Sequence, residues 1–225
     1  MATQHRNIVD TLETNYSAIL AEYKNLRVSQ TKEHYGITSD YVVDDQKLHT
    51  GKWDWQSYML KGKRQASFAA NCPKTAAVLE SLSFKSIGSL GDTKSRAALM
   101  TNTPLSFAFF STMGPGAEIR PHYGASNIRI RCHLPLIVPK GDIGMIAGGS
   151  ALHWQEGKPL FFDDSYEHQV WNRTSSDRVV LLFDLWHPEL EMEEISALQD
   201  MFSYAQKQGW NELKAEQQKN TERNA

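Results

Sequence analysis

Residues 127–136 read NIRIRCHLPL, and the alternation in this stretch decides the fold. On an extended chain successive side chains leave on opposite faces. Asn127, Arg129, Arg131 and His133 therefore share one face, and Ile128, Ile130, Cys132, Leu134 and Leu136 share the other. Two arrangements satisfy the pattern. In one, a half-buried antiparallel strand turns its polar side to water. In the other, the polar side lines a barrel mouth, where two guanidiniums and an imidazole converge on a carboxylate; the planar fork of arginine suits that task. Periodicity does not choose between them.

Working outward, a period of two holds from 84 to 186, broken by turn signals such as PKGD at 139–142. Several short strands in one block predict a mainly β fold, a sandwich or barrel with flanking helices. The helical period flanks it. Ile8, Leu12, Tyr16, Ile19, Leu20, Tyr23 and Leu26 make one stripe over 6–27, and NCPKTAAVLESL (71–82) places Pro73 at a first helical turn. Ile195, Leu198, Met201, Phe202 and Ala205 mark a final helix. The expectation is one domain over 1–225: a helical part at about 1–83 with an irregular 28–52, a β core at about 84–190, and a helix at about 191–216. QQKNTERNA is expected to fray beyond it.

Composition narrows the function. The 225 residues carry 24 basic and 26 acidic side chains, a net charge of −2, which speaks against nucleic acid as a partner. No run of apolar residues is long enough to span a bilayer, and the opening MATQHRNIVD lacks an apolar leader stretch, so no membrane partner and a cytoplasmic location are expected. Two cysteines, Cys72 and Cys132, are too few for a disulfide scaffold or a thiolate zinc site.

A second histidine segment, KPLFFDDSYEHQVWN (158–172), leads through RTSSD to RVVLLFDLW (178–186). If these pair as a hairpin centred near Ser175, Asn172 faces Arg178 and His168 faces Leu182. His168 and Arg178 would then stand about 13 Å apart along the sheet. A metal on His168 and a five-carbon dicarboxylate clamped by Arg178 fit that span.

FFSTMGPGAEIRPHYGASNIRIRCHLPL (109–136), WQEGKPLFFDDSYEHQVWN (154–172) and SSDRVVLLFDLWHPEL (175–190) together resemble the aspartyl/asparaginyl β-hydroxylase family. GKWDWQSY and CPKT look like a weaker upstream extension. The resemblance implies a double-stranded β-helix, a jelly-roll or cupin-like barrel, and a dioxygenase dependent on Fe(II), 2-oxoglutarate and O2. It implies a metal on His122 and His168, which lie 46 residues apart. Most related iron sites add a carboxylate; two residues after His122 that position is Gly124, a corner left for water. Arg178 and Ser111 would hold the distal carboxylate of 2-oxoglutarate, and His133 would line its site. Arg129 and Arg131 would face the co-substrate and an acidic substrate, with the division between them open. Asp164 would orient a ligand imidazole through its other nitrogen. HLP at 133–135 and Gly114 depart from the family pattern. Trp53 and Trp55 fit core packing better than a substrate pocket, and His187 packs beside Pro188. The expected substrate bears a carboxylate: an amino acid, peptide or small biosynthetic intermediate. The alternative is a catalytically inactive cupin-like protein that binds a metal or small acid.

Overall fold

In the computed structural model, which describes residues 6–29, 42–43, 46–83 and 98–209, the chain is mainly β with flanking helices. Helix α1 spans Arg6–Ser29. Short strands β1 (Val42–Val43) and β2 (Gln46–Lys47) pair only with each other. Then come β3 (His49–Thr50), β4 (Trp53–Leu60), β5 (Lys63–Arg64), α2 (Ala66–Asn71) and α3 (Pro73–Ser81). The strands that follow are β6 (Ala108–Met113), β7 (Ala117–His122), β8 (Arg129–Ile137), β9 (Ile143–Ala147), β10 (Ser150–Leu152), β11 (Leu160–Phe162), β12 (His168–Asn172) and β13 (Arg178–Trp186). Helix α4 (Met192–Lys207) closes the described chain, with Glu191 and Glu194 forming a reciprocal capping box at its start.

The last eight strands pair from the outside inward: β6 with β13, β7 with β12, β8 with β11, and β9 with β10, all antiparallel. Successive pairs alternate between two sheets, ordered β11-β8-β13-β6-β4-β5 and β10-β9-β12-β7-β3. This nested, alternating pairing is the winding of a double-stranded β-helix.

The helices explain why β8 and β13 are buried on both faces. Ile130, Cys132, Leu134 and Leu136 of β8, with Val179, Leu181, Phe183 and Leu185 of β13, pack with Ile8, Leu12, Ile19 and Tyr23 of α1 and Leu79 of α3. The opposite faces point between the sheets, where Trp53, Trp55, Phe109, Met145, Trp154, Phe162, Val170 and Leu182 form a second core. The apolar side of NIRIRCHLPL therefore meets helices, and its polar side faces the interior of the β-helix.

Three expectations change. The stretch read as helical contains β3, β4 and β5, and β4 is an integral strand of the six-stranded sheet. The hairpin between His168 and Arg178 does not form. Strand β12 pairs with β7 and β9, whereas β13 pairs with β6 and β8, so residues 173–177 cross from one sheet to the other. Helix α4 ends at Lys207; the rest of its expected range beyond 209, the frayed tail and the expected start of the β block at 84–97 lie outside the described residues. No described helix is long and apolar enough to cross a membrane.

Candidate active site

His122 ends β7 and His168 begins β12, and the two are cross-strand partners with ring centroids 4.0 Å apart. Their common facing depends on an irregularity. Ile119 pairs with Val170 and His122 with His168, so three residues of β7 span what two span on β12. In a regular pleat, residues three apart face opposite ways; the extra residue of a bulge restores the facing. Pro121, which has no N–H for a ladder, sits in this irregular step.

Each imidazole is then locked in one tautomer. His122 Nδ1 lies 2.7 Å from the Arg120 carbonyl and His168 Nδ1 lies 2.9 Å from the Tyr166 carbonyl. A carbonyl only accepts, so both Nδ1 atoms carry the proton and both Nε2 lone pairs are left for an ion. The rings stand within reach of a single cation, given metal–imidazole bonds of about 2.0–2.1 Å. Burial keeps both uncharged, and His168 is pushed down to about 4, by burial first and then by its neighbour His122. Backbone carbonyls, not Asp164, orient these rings.

That depression sets a pH dependence. Between its ordinary value of 6.5 and about 4, the unfolded chain takes up a proton on His168 that the folded chain refuses. Stability of the metal-free protein is therefore full above about 6.5 and falls with pH through that window. From His168 alone the loss is on the order of 3 kcal/mol by pH 4. Urea midpoints at pH 7 and pH 4.5 read it directly; equal midpoints would mean that the rings are solvated.

Beyond the imidazole pair the interior between the sheets is aromatic, then cationic. Phe162 touches both His168 and His133, at centroid distances of 5.6 Å and 5.1 Å. Trp154 Nε1–H donates to His133 Nδ1 at 3.3 Å. Burial, then the charges of Arg178 and Arg131, holds His133 neutral. Its one remaining proton is on Nε2, a buried donor without a partner. Arg178 lies with its guanidinium carbon 4.9 Å over the Trp154 ring. It is 2% exposed, and its ties are Ser111 Oγ at 3.4 Å from Nη1 and Met113 sulfur at 3.2 Å from Nη2. Its buried Nε has no hydrogen-bond partner, and among the described residues no carboxylate contacts it. Burial lowers its pKa to about 9, which leaves it charged at neutral pH. Trp53 Nε1–H donates to Ser111 Oγ at 2.9 Å, so Trp53 belongs both to the core and to this wall.

Arg129 and Arg131 are held differently. Arg129, 4% exposed, donates through Nε and Nη2 to both oxygens of Asp164, at 3.0 Å and 2.6 Å, and through Nη1 to the Leu105 carbonyl. In contrast to the expectation of a substrate-facing group, all three of its nitrogens are engaged within the fold. Arg131 donates through Nε and Nη2 to Asp184 and sets Nη1 3.2 Å from Asp164, with 14% of its side chain exposed. Two buried aspartates and two arginines thus form one neutral network beside the histidines. The guanidiniums outweigh burial and hold the Asp164 carboxyl below the usual carboxylate range.

Asp184, Trp154 and Phe162 escaped sequence reasoning. The first had a signal: a lone acid amid RVVLLFDLW, opposite Arg131 in the ladder. Cys132 is a buried core thiol and His187 sits just past the end of β13, both as expected.

Two imidazole lone pairs, with an N–H and a cation that no described residue pairs, suit a divalent metal with a dianionic organic acid. Among the described residues no three His, Cys, Asp or Glu side chains gather as a metal site. Mouse aspartyl/asparaginyl beta-hydroxylase is 32% identical over 198 residues, 87% of this chain but 24% of that protein. The ornithine lipid ester-linked acyl 2-hydroxylase of Rhizobium tropici is 31% identical over 182 residues, 79% of this chain and 56% of that one. Among solved structures, a Pseudomonas putida prolyl-4-hydroxylase aligns with a TM-score of 0.46 and 14% identity, over 76% of this chain and 86% of that one. The chain spans less than a quarter of the length of the mouse relative. The sequence profile of the aspartyl/asparaginyl beta-hydroxylases matches residues 13–188, most of the chain, which therefore belongs to that family.

Proposed function

We propose that this protein is a cytoplasmic non-haem oxygenase that uses Fe(II), 2-oxoglutarate and O2 to oxidise, by default to hydroxylate, a C–H bond of a carboxylate-bearing substrate. Amino acids, peptides and small biosynthetic intermediates fit. The observation that carries the reading is Arg178: a guanidinium buried, among the described residues, without an anion, in the same interior as the unpartnered N–H of His133 and two imidazoles poised as acceptors. Burying an unpaired charge costs several kcal/mol, so such a residue is best explained by an anion that arrives later.

In this reading His122 and His168 hold the ion through Nε2. Arg178 and Ser111 take the distal carboxylate of 2-oxoglutarate, and His133 donates its Nε2 proton to the same molecule. Trp154 and Phe162 wall the cavity and exclude water, which strengthens those polar contacts. When bound, iron would bring together O2, which is the oxidant, and 2-oxoglutarate, which would be oxidised to succinate and carbon dioxide. The three nitrogens of Arg131 are engaged by Asp184 and Asp164, and in this reading it is its exposed edge that meets the substrate carboxylate; Arg129 is its positioning partner, holding Asp164 and the network in place.

The test is succinate release from protein supplied with Fe(II), ascorbate, 2-oxoglutarate and a pool of amino acids and peptides. Succinate is expected, with a product gaining about 16 Da for hydroxylation or losing about 2 Da for desaturation or ring closure. No succinate from any pool, despite bound iron and 2-oxoglutarate, would leave a binding protein in place of an enzyme.

A further inference from the structure

Among the described residues six large hydrophobic side chains stand exposed, and two of them lie within two residues of the imidazole pair. Tyr123, 65% exposed, follows His122; Tyr166, 61% exposed, gives its carbonyl to His168 Nδ1. Glu167, also exposed, stands between Tyr166 and His168. The Tyr123 O–H donates to Glu167 Oε2 at 3.2 Å, so this pair lies beside the rung that joins His122 to His168. Tyr166 abuts the turn after β9, with its Cβ 3.7 Å from where one on Gly148 would stand. Apart from the Tyr123 phenol, no described residue pairs with the Glu167 carboxylate, and no described cation forms an ion pair with it.

We propose that Tyr123, Tyr166 and Glu167 form a cation-accepting rim, so that the substrate carries a protonated amine or a guanidinium besides its carboxylate. The inference deepens the oxygenase reading and rests on it. A tyrosine face attracts a cation through the negative side of its ring, and a carboxylate next to it adds to the pull. The rim is opposite in sign to Arg131, whose charge bears on both imidazoles from the inner side. A substrate with charges of both signs is thus held at two points, which fixes which carbon faces the ion.

The experiment uses the full chain labelled with 3-fluorotyrosine and loaded with Zn(II) and 2-oxoglutarate, which fill the interior without turnover. Fluorine NMR follows the eight tyrosines, with Tyr123→Phe and Tyr166→Phe assigning the two lines. Two matched pairs of probes separate charge from shape. Norleucine and N-acetylnorleucine differ in an α-ammonium; N-acetylarginine and N-acetylcitrulline differ in a side-chain guanidinium. In at least one pair the cationic member is expected to move both lines at a concentration about tenfold lower than its neutral counterpart. The pair that does so tells a free amino acid from a basic side chain. Glu167→Gln should erase most of that preference and leave the neutral probes unaffected. Equal responses within both pairs, or a preference that survives Glu167→Gln, would overturn the proposal. Failure of wild type to bind Zn(II) or 2-oxoglutarate in calorimetry would instead strike the oxygenase reading, and this inference with it.

Discussion

Arg178→Met is expected to cut 2-oxoglutarate affinity by a factor of about 30 to 4000 while leaving the stability of the metal-free protein unchanged or raised. The two effects have one cause. Arg178 is buried with a sulfur, a hydroxyl and an indole face for company and, among the described residues, no carboxylate. The unliganded fold carries the cost of its desolvation, and methionine, of similar length and apolar, removes that cost. The bound state loses instead. Truncating one partner of a desolvated charge pair costs about 2–5 kcal/mol, which is the range of affinity given above. Titration calorimetry with 2-oxoglutarate and a urea melt of the unliganded chain separate the two. A variant that loses stability yet binds 2-oxoglutarate normally would make Arg178 a structural residue.

The second large effect is on folding. Asp184→Asn should destabilise the protein by about 3–5 kcal/mol, because it leaves buried arginines short of their counter-charge. Asp184 is fully buried, accepts from Arg131 Nε at 2.8 Å and Nη2 at 3.2 Å, and also accepts from the Phe107 N–H at 3.2 Å. Its own backbone N–H and carbonyl tie β13 to the segment before β6 through Phe107 and Met100. The loss should appear in the urea midpoint with iron and 2-oxoglutarate absent. A change below about 1 kcal/mol would mean that water reaches the network and screens it.

Much of the site was legible because it lies on a strand whose two faces differ in chemistry. The alternation of NIRIRCHLPL sorted Arg129, Arg131 and His133 onto one side, and the β-helix turns that side inward. Sequence left open whether the polar side met water or the interior, because the answer depends on α1 and α3 covering the opposite face. The partnership of Arg129 was hidden for a related reason. Its carboxylates, Asp164 and Asp184, come from distant stretches, and the alternation of one strand says nothing about what stands across the cavity. The hairpin error has a different origin. A five-residue connection rich in Ser and Thr reads the same whether its flanking strands pair or cross between sheets. Strand β4 was missed because both its faces are buried. WDWQSYML packs tryptophans toward the interior and Tyr58 and Met59 toward the helices, so no alternation survives to be read. The bulge that turns His122 inward left one visible trace, a proline inside a strand.

Because residues 122 and 168 face each other across one ladder rung, a cation joining them would close almost no loop of chain that the backbone has not closed already. The entropy available from such a cross-link is small. The ion would be a tenant of this fold and not one of its beams, free to come and go while the strands around it stay put.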